Sequence, residues 1–341
     1  MYPQQTKKYS DMKKILSFAI LFISVCAFSQ VKSIGPIGIT VKDMNTSVKF
    51  YSEVLGFKKI SDEEITGPAY EKLEDIFALH IRVVRMQLGD EQIELTDYLT
   101  SGGRSIPEDM QSNDLYFQHI AIVVSNMDKA YGFLRKHMVM HVSTAPQTIP
   151  ASNVAAAGIR AFYFHDPDMH DLELIYFPKG KGQPKWQNTN GKLFLGIDHT
   201  AIGVSNTDSS LHFYQTLLGI ERKGDSWNMG MEQAHLNAIE NASLHITGLR
   251  AENGAGIEFL QYLQPGAGKP YPADSKANDI WHWQTTLYVD DAQALYITLQ
   301  KAGCSFVSKQ IVELQTKDGK NIRAFIVRDP DGHAMLIKQV N

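Results

Sequence analysis

Four short runs rich in β-branched residues recur along the chain: Ile37-Gly38-Ile39-Thr40-Val41, Ile120-Ala121-Ile122-Val123-Val124, Thr200-Ala201-Ile202-Gly203-Val204 and Thr285-Thr286-Leu287-Tyr288-Val289. Their brevity and composition predict strands. Each leads into small polar residues suited to an N-cap: Asp43-Met44-Asn45-Thr46, Ser125-Asn126, Ser205-Asn206-Thr207-Asp208 and Asp290-Asp291. Apolar residues then fall mostly three or four apart, as at Val48, Tyr51, Val54 and Leu55 and at Leu211, Tyr214, Leu217 and Leu218, which predicts amphipathic helices. Gly56 and Gly219 stand where a C-cap is expected. Beyond the helices, residues 80–88 and 92–99 predict a hairpin around Gly89-Asp90, with 242–249 and 256–263 as its counterpart. Segments 159–164 and 171–177 flank Asp166-Pro167-Asp168, as 322–328 and 333–338 flank Asp329-Pro330-Asp331. The unit is a strand, a helix, then two or three strands, four times over.

The pattern also repeats at long range. Phe50-Tyr51 returns as Phe213-Tyr214, Ile93-Glu94 as Ile257-Glu258, Pro107 as Pro272, and Asp166-Pro167-Asp168 as Asp329-Pro330-Asp331, all at an offset of roughly 163–165 residues. An offset that long marks a duplicated domain rather than a solenoid repeat. The expected organisation is a first domain over 34–178, with modules 34–100 and 116–178, and a second over 194–340, with modules 194–263 and 281–340. Segment 179–193, opening Lys179-Gly180-Lys181-Gly182, reads as the linker.

Composition adds exclusions and an address. A net charge of −4 and the lack of a Lys/Arg run argue against a nucleic-acid partner, and nothing after the N-terminus reads as a membrane span. Met12-Lys13-Lys14, the apolar stretch Ile15 to Phe28 and the small residues Ala27 and Ser29 resemble a signal peptide, so residues 1–29 are expected to be removed. Periplasmic or secreted localisation follows. Lipidation through Cys26 is disfavoured because Val25 is a poor residue before it. The mature chain then keeps only Cys304, an expected buried thiol.

Ile197-Asp198-His199-Thr200-Ala201-Ile202, the Phe-Tyr helices ending Leu55-Gly56-Phe57 and Leu218-Gly219-Ile220, and Asp166-Pro167-Asp168 leading to Leu172-Glu173-Leu174 resemble the vicinal-oxygen-chelate superfamily, which includes glyoxalase I, extradiol dioxygenases and bleomycin resistance proteins. The resemblance implies an α+β fold of four βαβββ modules, paired into curved sheets that form cups around a divalent metal (Zn, Ni, Fe, Mn or Co). It also implies ligands from the first and last strands of each module. Carried over by position, these are Pro36, Glu94, His119 and Glu173 in the first half and His199, Glu258, Gln284 and Leu336 in the second. If each half closes its own cup, each has three donors and one vacancy. Glu94, His119 and Glu173 carry two negative charges and make the first half the expected active one.

Neutral imidazole and carboxylate donors suit such a cation, which can stabilise an enediolate while Glu94, Glu173 or Glu258 moves the proton. Glu94 and Glu173 alternate with Ile93, Leu95, Leu172 and Leu174, so they face away from the apolar side. On their own, Glu94 and Glu258 read as solvated sheet residues and His119 and His199 as structural histidines; the matched positions raise them to ligand candidates. His282 lies near Gln284, His170 and His333 read as turn residues, and Trp281 and Trp283 as core. The expected function is a metal-dependent lyase or isomerase resembling glyoxalase I, acting on a small vicinally oxygenated substrate, as a monomer or homodimer. A ligand-sequestering protein is the alternative, favoured by the vacancies. A ring-cleaving dioxygenase ranks lower, because neither half supplies two His. Intact-mass measurement of the exported protein is expected to place its first residue at Gln30; a mature form retaining residues 12–29 would refute processing.

Overall fold

The computed structural model describes residues 31–315 and 319–340, so the expected leader, its cleavage site and Cys26 lie outside the described residues. The four modules form as the pattern predicts. Their first strands are Val31–Val41, Gln118–Val124, Phe194–Gly203 and Trp283–Val289. Their helices are Met44–Glu53, Met127–Lys136, Thr207–Leu211 continued by a π-helical turn at His212–Leu217, and Ala292–Lys301. Asp43, Asn126, Asn206 and Asp291 accept a hydrogen bond from the backbone N–H three residues on, so all four helices start by the same capping chemistry. Gly56 and Gly219 both adopt φ of 75°, where a side chain would be strained. Two short helices, Pro68–Glu74 and Met231–Asn237, were not anticipated.

The modules pair across the halves. One sheet runs Ser305–Phe306, Asn321–Arg328, Ala334–Val340, Trp283–Val289, Val31–Val41, Glu91–Tyr98, His80–Leu88, Lys58–Thr66, with Val312–Gln315 added beside Asn321–Arg328. It joins the first module to the fourth. The other runs Glu221–Met229, Ser243–Arg250, Gly256–Gln264, Phe194–Gly203, Gln118–Val124, Asp171–Tyr176, Arg160–His165, Gln147–Thr148, and joins the third module to the second. The expectation that each half closes a cup of its own is therefore corrected. Within a half the modules meet instead through their helix-bearing faces. One core comes chiefly from the first two modules, including Tyr51, Ile93, Leu95, Leu172 and Leu174, and a second chiefly from the last two. With the helix faces buried there, the edges of the first strands are left to pair with the other half.

Pro36 lies in a central strand, not at the edge position that would most readily tolerate it. The register slips between Ile34 and Ile37 where Val31–Val41 pairs with Trp283–Val289, and this bulge accommodates the missing N–H. Segments 100–115 and 264–280 interlock by pseudo-symmetric contacts. Arg104 N–H donates to Asp279 Oδ1 at 2.9 Å, and Lys269 N–H donates to Asp114 Oδ1 at 2.6 Å. Cys304 is half-buried, and burial raises its thiol pKa.

The Asp-Pro-Asp turns brace the helix side. Asp166 Oδ1 accepts the N–H groups of Asp168 and His170, and Oδ2 accepts the Tyr51 hydroxyl at 3.2 Å and pairs with His170 Nδ1 at 2.9 Å. His170 Nε2 reaches the Ile280 carbonyl at 2.7 Å, so the brace joins the first two modules to segment 264–280. Burial disfavours the imidazolium, but the Asp166 charge outweighs it and lifts His170 to about 9. The second turn repeats the backbone and tyrosine contacts: Asp329 accepts the His333 N–H and the Tyr214 hydroxyl, and His333 Nε2 lies 2.9 Å from the Gly203 carbonyl. Asp166→Ala is expected to cost roughly 3–5 kcal/mol in denaturant unfolding, because it strands a buried imidazolium and a hydroxyl. A loss below about 1 kcal/mol would show the brace to be dispensable.

Candidate metal centre

The cross-half seam brings four of the six expected donors into one cup. Gln118–Val124 pairs antiparallel with Phe194–Gly203 so that His119 lies opposite Ala201 and His199 opposite Ala121. The next strand on each side places Glu173 beside Ala121 and Glu258 beside Ala201. Two small alanines thus flank the seam where the four longer side chains converge. His119 Nε2 lies 3.1 Å from Glu173 Oε2, and His199 Nε2 lies 3.5 Å from the same oxygen and 3.6 Å from Glu258 Oε1. Donor atoms of His119, Glu173 and His199 all fall within 4.8 Å of one another.

Metal–donor bonds of about 2.1 Å in a tetrahedron put neighbouring donors about 3.4 Å apart. The observed separations bracket that value. His199 Nε2 is buried and faces two carboxylates at 3.5 and 3.6 Å, contacts longer than a normal hydrogen bond. Two imidazole nitrogens and two carboxylates offset a divalent charge, so the donor set fits such an ion.

The electrostatics follow from burial. Burial pushes the Glu173 carboxyl up, but hydrogen bonds and charge from His119 and His199 outweigh it and hold the pKa below its usual value. Glu258 is raised, by burial first and by the charges of Glu173 and Asp198. Burial lowers His119, whereas on His199 the charge of Glu258 and the bonds to Asp198 and Glu173 overcome it and raise the pKa. Glu173 is enclosed, with a side chain 7 % exposed, while Glu258 is 26 % exposed and stands at the open side.

Behind His199 stands Asp198, which the sequence reading quoted but gave no role. Its Oδ2 is 3.0 Å from His199 Nδ1 and accepts from Arg250 Nη2 at 2.7 Å. Its Oδ1 accepts the Trp186 indole N–H at 2.6 Å and the Gln183 amide at 3.2 Å. A carboxylate on the far nitrogen fixes the tautomer and aims Nε2 into the cup. Trp186 and Gln183 belong to the expected linker, which is packed here: Pro184–Gln187 forms a 3-10 turn and Trp186 is buried. Asp171, on the same strand face as Glu173, is pushed up to about 8 by burial and holds its proton at neutral pH. Between the two edges of this sheet, the Asn153 amide donates to Ser226 Oγ, the Trp227 carbonyl and Asn228 Oδ1, beside a cavity of about 180 Å³.

Glu94 and Gln284 go to the other cup. There Pro36 and Leu336 occupy the remaining donor positions, since Gly38 lies beside Glu94 and opposite Gln284, and Thr286 beside Leu336. Glu94 is bound by Arg85 at 2.7 Å, and Gln284 lies 3.5 Å from Glu74. His282 Nε2 is 3.5 Å from the Gln284 oxygen and is held neutral, its pKa lowered to about 3 by burial first. Among the described residues no trio of His, Cys, Asp or Glu donors like that of the other cup forms here, and Glu94 lies in a different cup from His119 and Glu173, with which it was expected to act. The vacancies counted in each half all fall in this one cup. Trp283 is core, and Trp281 lies under the Arg104 guanidinium at 4.7 Å.

The sequence profile of the Glyoxalase/Bleomycin resistance protein/Dioxygenase superfamily matches residues 33–174 and again 196–337. The chain belongs to that superfamily. A 2-epi-5-epi-valiolone epimerase from Actinomyces sp is 29 % identical over 163 residues, covering 46 % of this chain and 85 % of that protein. The uncharacterized YwbC of Bacillus subtilis is 28 % identical over 136 residues, covering 40 % of this chain and 90 % of its own length. Among solved structures, glyoxalase I from Zea mays superposes with a TM-score of 0.60 at 16 % identity, covering 90 % of this chain and 92 % of the other. A putative dioxygenase from Bacillus subtilis gives 0.54 at 13 %, covering 92 % and 86 %. These likenesses confirm a superfamily fold with two curled mixed sheets and helices outside. Among the described residues no helix is long and apolar enough to cross a membrane.

Glu74, from one of the unanticipated helices, is only 5 % exposed, and burial raises its pKa to about 7. A carboxyl raised above its unfolded value contributes stability that falls as pH rises from about 4.5 to about 7, because the unfolded chain gives up its proton first. Glu74→Gln keeps a neutral group at all pH. Relative to wild type it is expected to gain up to about 3 kcal/mol between pH 5 and pH 8 in urea unfolding. An unchanged difference across that range would contradict the burial of the charge.

Proposed function

We propose that the protein is a divalent-metal-dependent lyase or isomerase of the glyoxalase I kind, acting on a small substrate with two adjacent oxygens at the cup of His119, Glu173, His199 and Glu258. The convergence of two His and two Glu at near-tetrahedral separations supports this reading. A bound divalent cation would stabilise negative charge developing on the substrate oxygens. His119 and Glu173, both enclosed, would hold the cation rigidly. His199 would be the third donor, kept in its tautomer by Asp198. Glu258, the most exposed of the four, is placed to take the proton from the substrate carbon next to the oxygens and return it to a neighbouring atom. Asp171, protonated at neutral pH, keeps a second negative charge away from Glu173. Similarity to a protein named as an epimerase is consistent with such proton transfer. With the exported N-terminus expected from the sequence, a glutathione adduct is a poor candidate substrate, since that thiol is scarce outside the cytosol.

The ligand-sequestering reading loses its main support, because the vacancies no longer fall on the cup that gathers donors. The dioxygenase reading gains what it lacked, two His and one Glu in a single cup. Glu258 as a fourth donor favours proton transfer over oxygen chemistry.

The mature protein reconstituted with Zn, Ni, Fe, Mn or Co is expected to hold about one ion per chain by elemental analysis. Glu173→Ala should lose at least 10-fold in affinity and Glu94→Ala should retain its metal. Loss in Glu94→Ala with retention in Glu173→Ala would move the site to the other cup. Oxygen uptake by the iron form with catechols would favour the dioxygenase reading instead.

A further inference from the structure

The two cups differ at one pair of positions beside a carboxylate. Where the first and fourth modules meet, Arg85 lies opposite Glu94, and Ser61 opposite Arg85. Arg85 Nη2 holds the Glu94 carboxylate at 2.7 Å. At the same repeat offset the donor-lined cup has two glycines, with Gly248 opposite Glu258 and Gly224 opposite Gly248. Directly opposite residues of an antiparallel pair share a face, so both glycines face the cup.

The backbone does not call for glycine at either place, since neither adopts the left-handed conformation. Gly224 adjoins a register shift, but Gly248 has no such cause. A β-carbon placed on either would meet nothing within 4 Å. A strand glycine without a bulge marks a place where a ligand or another backbone comes close, and no backbone comes close here.

Other directions out of the cup are closed. Phe117, Tyr163, Leu260 and Tyr262 pack together on one side of the donors, and Trp186 packs with Ala121 and Ile175 on the other. Glu258 is 26 % exposed, against 13 % for Glu94 beneath its arginine. His199, more than nine-tenths buried, turns Nε2 toward Glu258 over 3.6 Å, longer than a hydrogen bond.

We propose that Gly248 and Gly224 are the specificity-determining residues of this cup, their bare backbone seating a flat, ring-sized body of the substrate beside Glu258. The substrate's two adjacent oxygens then point to the donors, and in this the proposal rests on the metal-dependent reading above. Gly248 also cannot tie Glu258 as Arg85 ties Glu94. Ser226, the next cup-facing residue past Gly224, accepts from the Asn153 amide at 2.9 Å and gives the seat a polar edge.

Titration of the cobalt-loaded full chain with acetohydroxamate and benzohydroxamate, followed in the visible spectrum, tests this. Both chelate through oxygens on adjacent atoms, and only the second carries a ring. Wild type is expected to bind both. Gly248→Val should weaken benzohydroxamate about 10-fold or more and leave acetohydroxamate within about 2-fold. Gly224→Val, one strand farther from the donors, should act in the same direction and less strongly. Valine suits a strand and meets open space at both positions, so cobalt uptake by the variants should match wild type. Undiminished benzohydroxamate binding in Gly248→Val, equal loss of the two hydroxamates, or a cobalt form that binds neither would overturn the seat and leave the metal reading standing. A wild-type chain that takes up no cobalt would overturn the metal reading, and the seat with it.

Discussion

The antiparallel seam between Gln118–Val124 and Phe194–Gly203 is the constraint on which the site depends. Side chains on a strand alternate, so a register slip of one residue would turn His119 and His199 into the helix-side core and bring apolar residues into the cup. The observed register sets each His opposite an Ala and each Glu beside one. The helix-side cores hold that register from behind. Leu172 and Leu174 are fully buried on one face while Glu173, between them, faces the other. The donor constellation is thus a by-product of packing that is itself hydrophobic.

Gathering ionisable groups in so enclosed a place is costly unless each is partnered. The protein distributes the charge outward in layers. Glu173 and Glu258 face His199, His199 backs onto Asp198, and Asp198 is shared by Arg250, Trp186 and Gln183. Arg250 closes the chain with a charge that is partly in water, where its hydration is retained. In the other cup the same sheet positions hold Pro36 and Leu336, and the remaining Glu94 is neutralised locally by Arg85. The two cups therefore differ in field as well as in shape.

The elements themselves were legible because their signals are local. Capping Asp and Asn residues, helical spacing and the two positive-φ glycines are set by a few neighbouring residues. The candidate donor positions came from the family resemblance, and the alternation of Glu173 with leucines indicated the direction in which it points. What could not be read was which module partners which. Strand pairing is decided by faces buried far apart in sequence, and nothing in Ile37–Val41 or Thr285–Val289 names its neighbour. That gap propagated: counting donors by half gave two incomplete sets, whereas counting by sheet gives one complete set and one emptied one. Asp198 was visible beside His199, but its role depends on Arg250 and on Trp186 in a segment that composition marks as a tether. Glu74 sits on a short helix with no signal beyond a few turn residues.

Because each sheet takes one module from either half, joining the halves in one chain has an evolutionary consequence. Two identical copies related by a two-fold axis would build two identical cups, and any substitution would appear in both. Once the copies are covalently joined, the second and third modules can change independently of the first and fourth. A donor lost at Pro36 or Leu336 then harms only one cup, and selection on the other is undisturbed. In a single chain the two cups are free to differ, as the donors of one and the Pro36 and Leu336 of the other do.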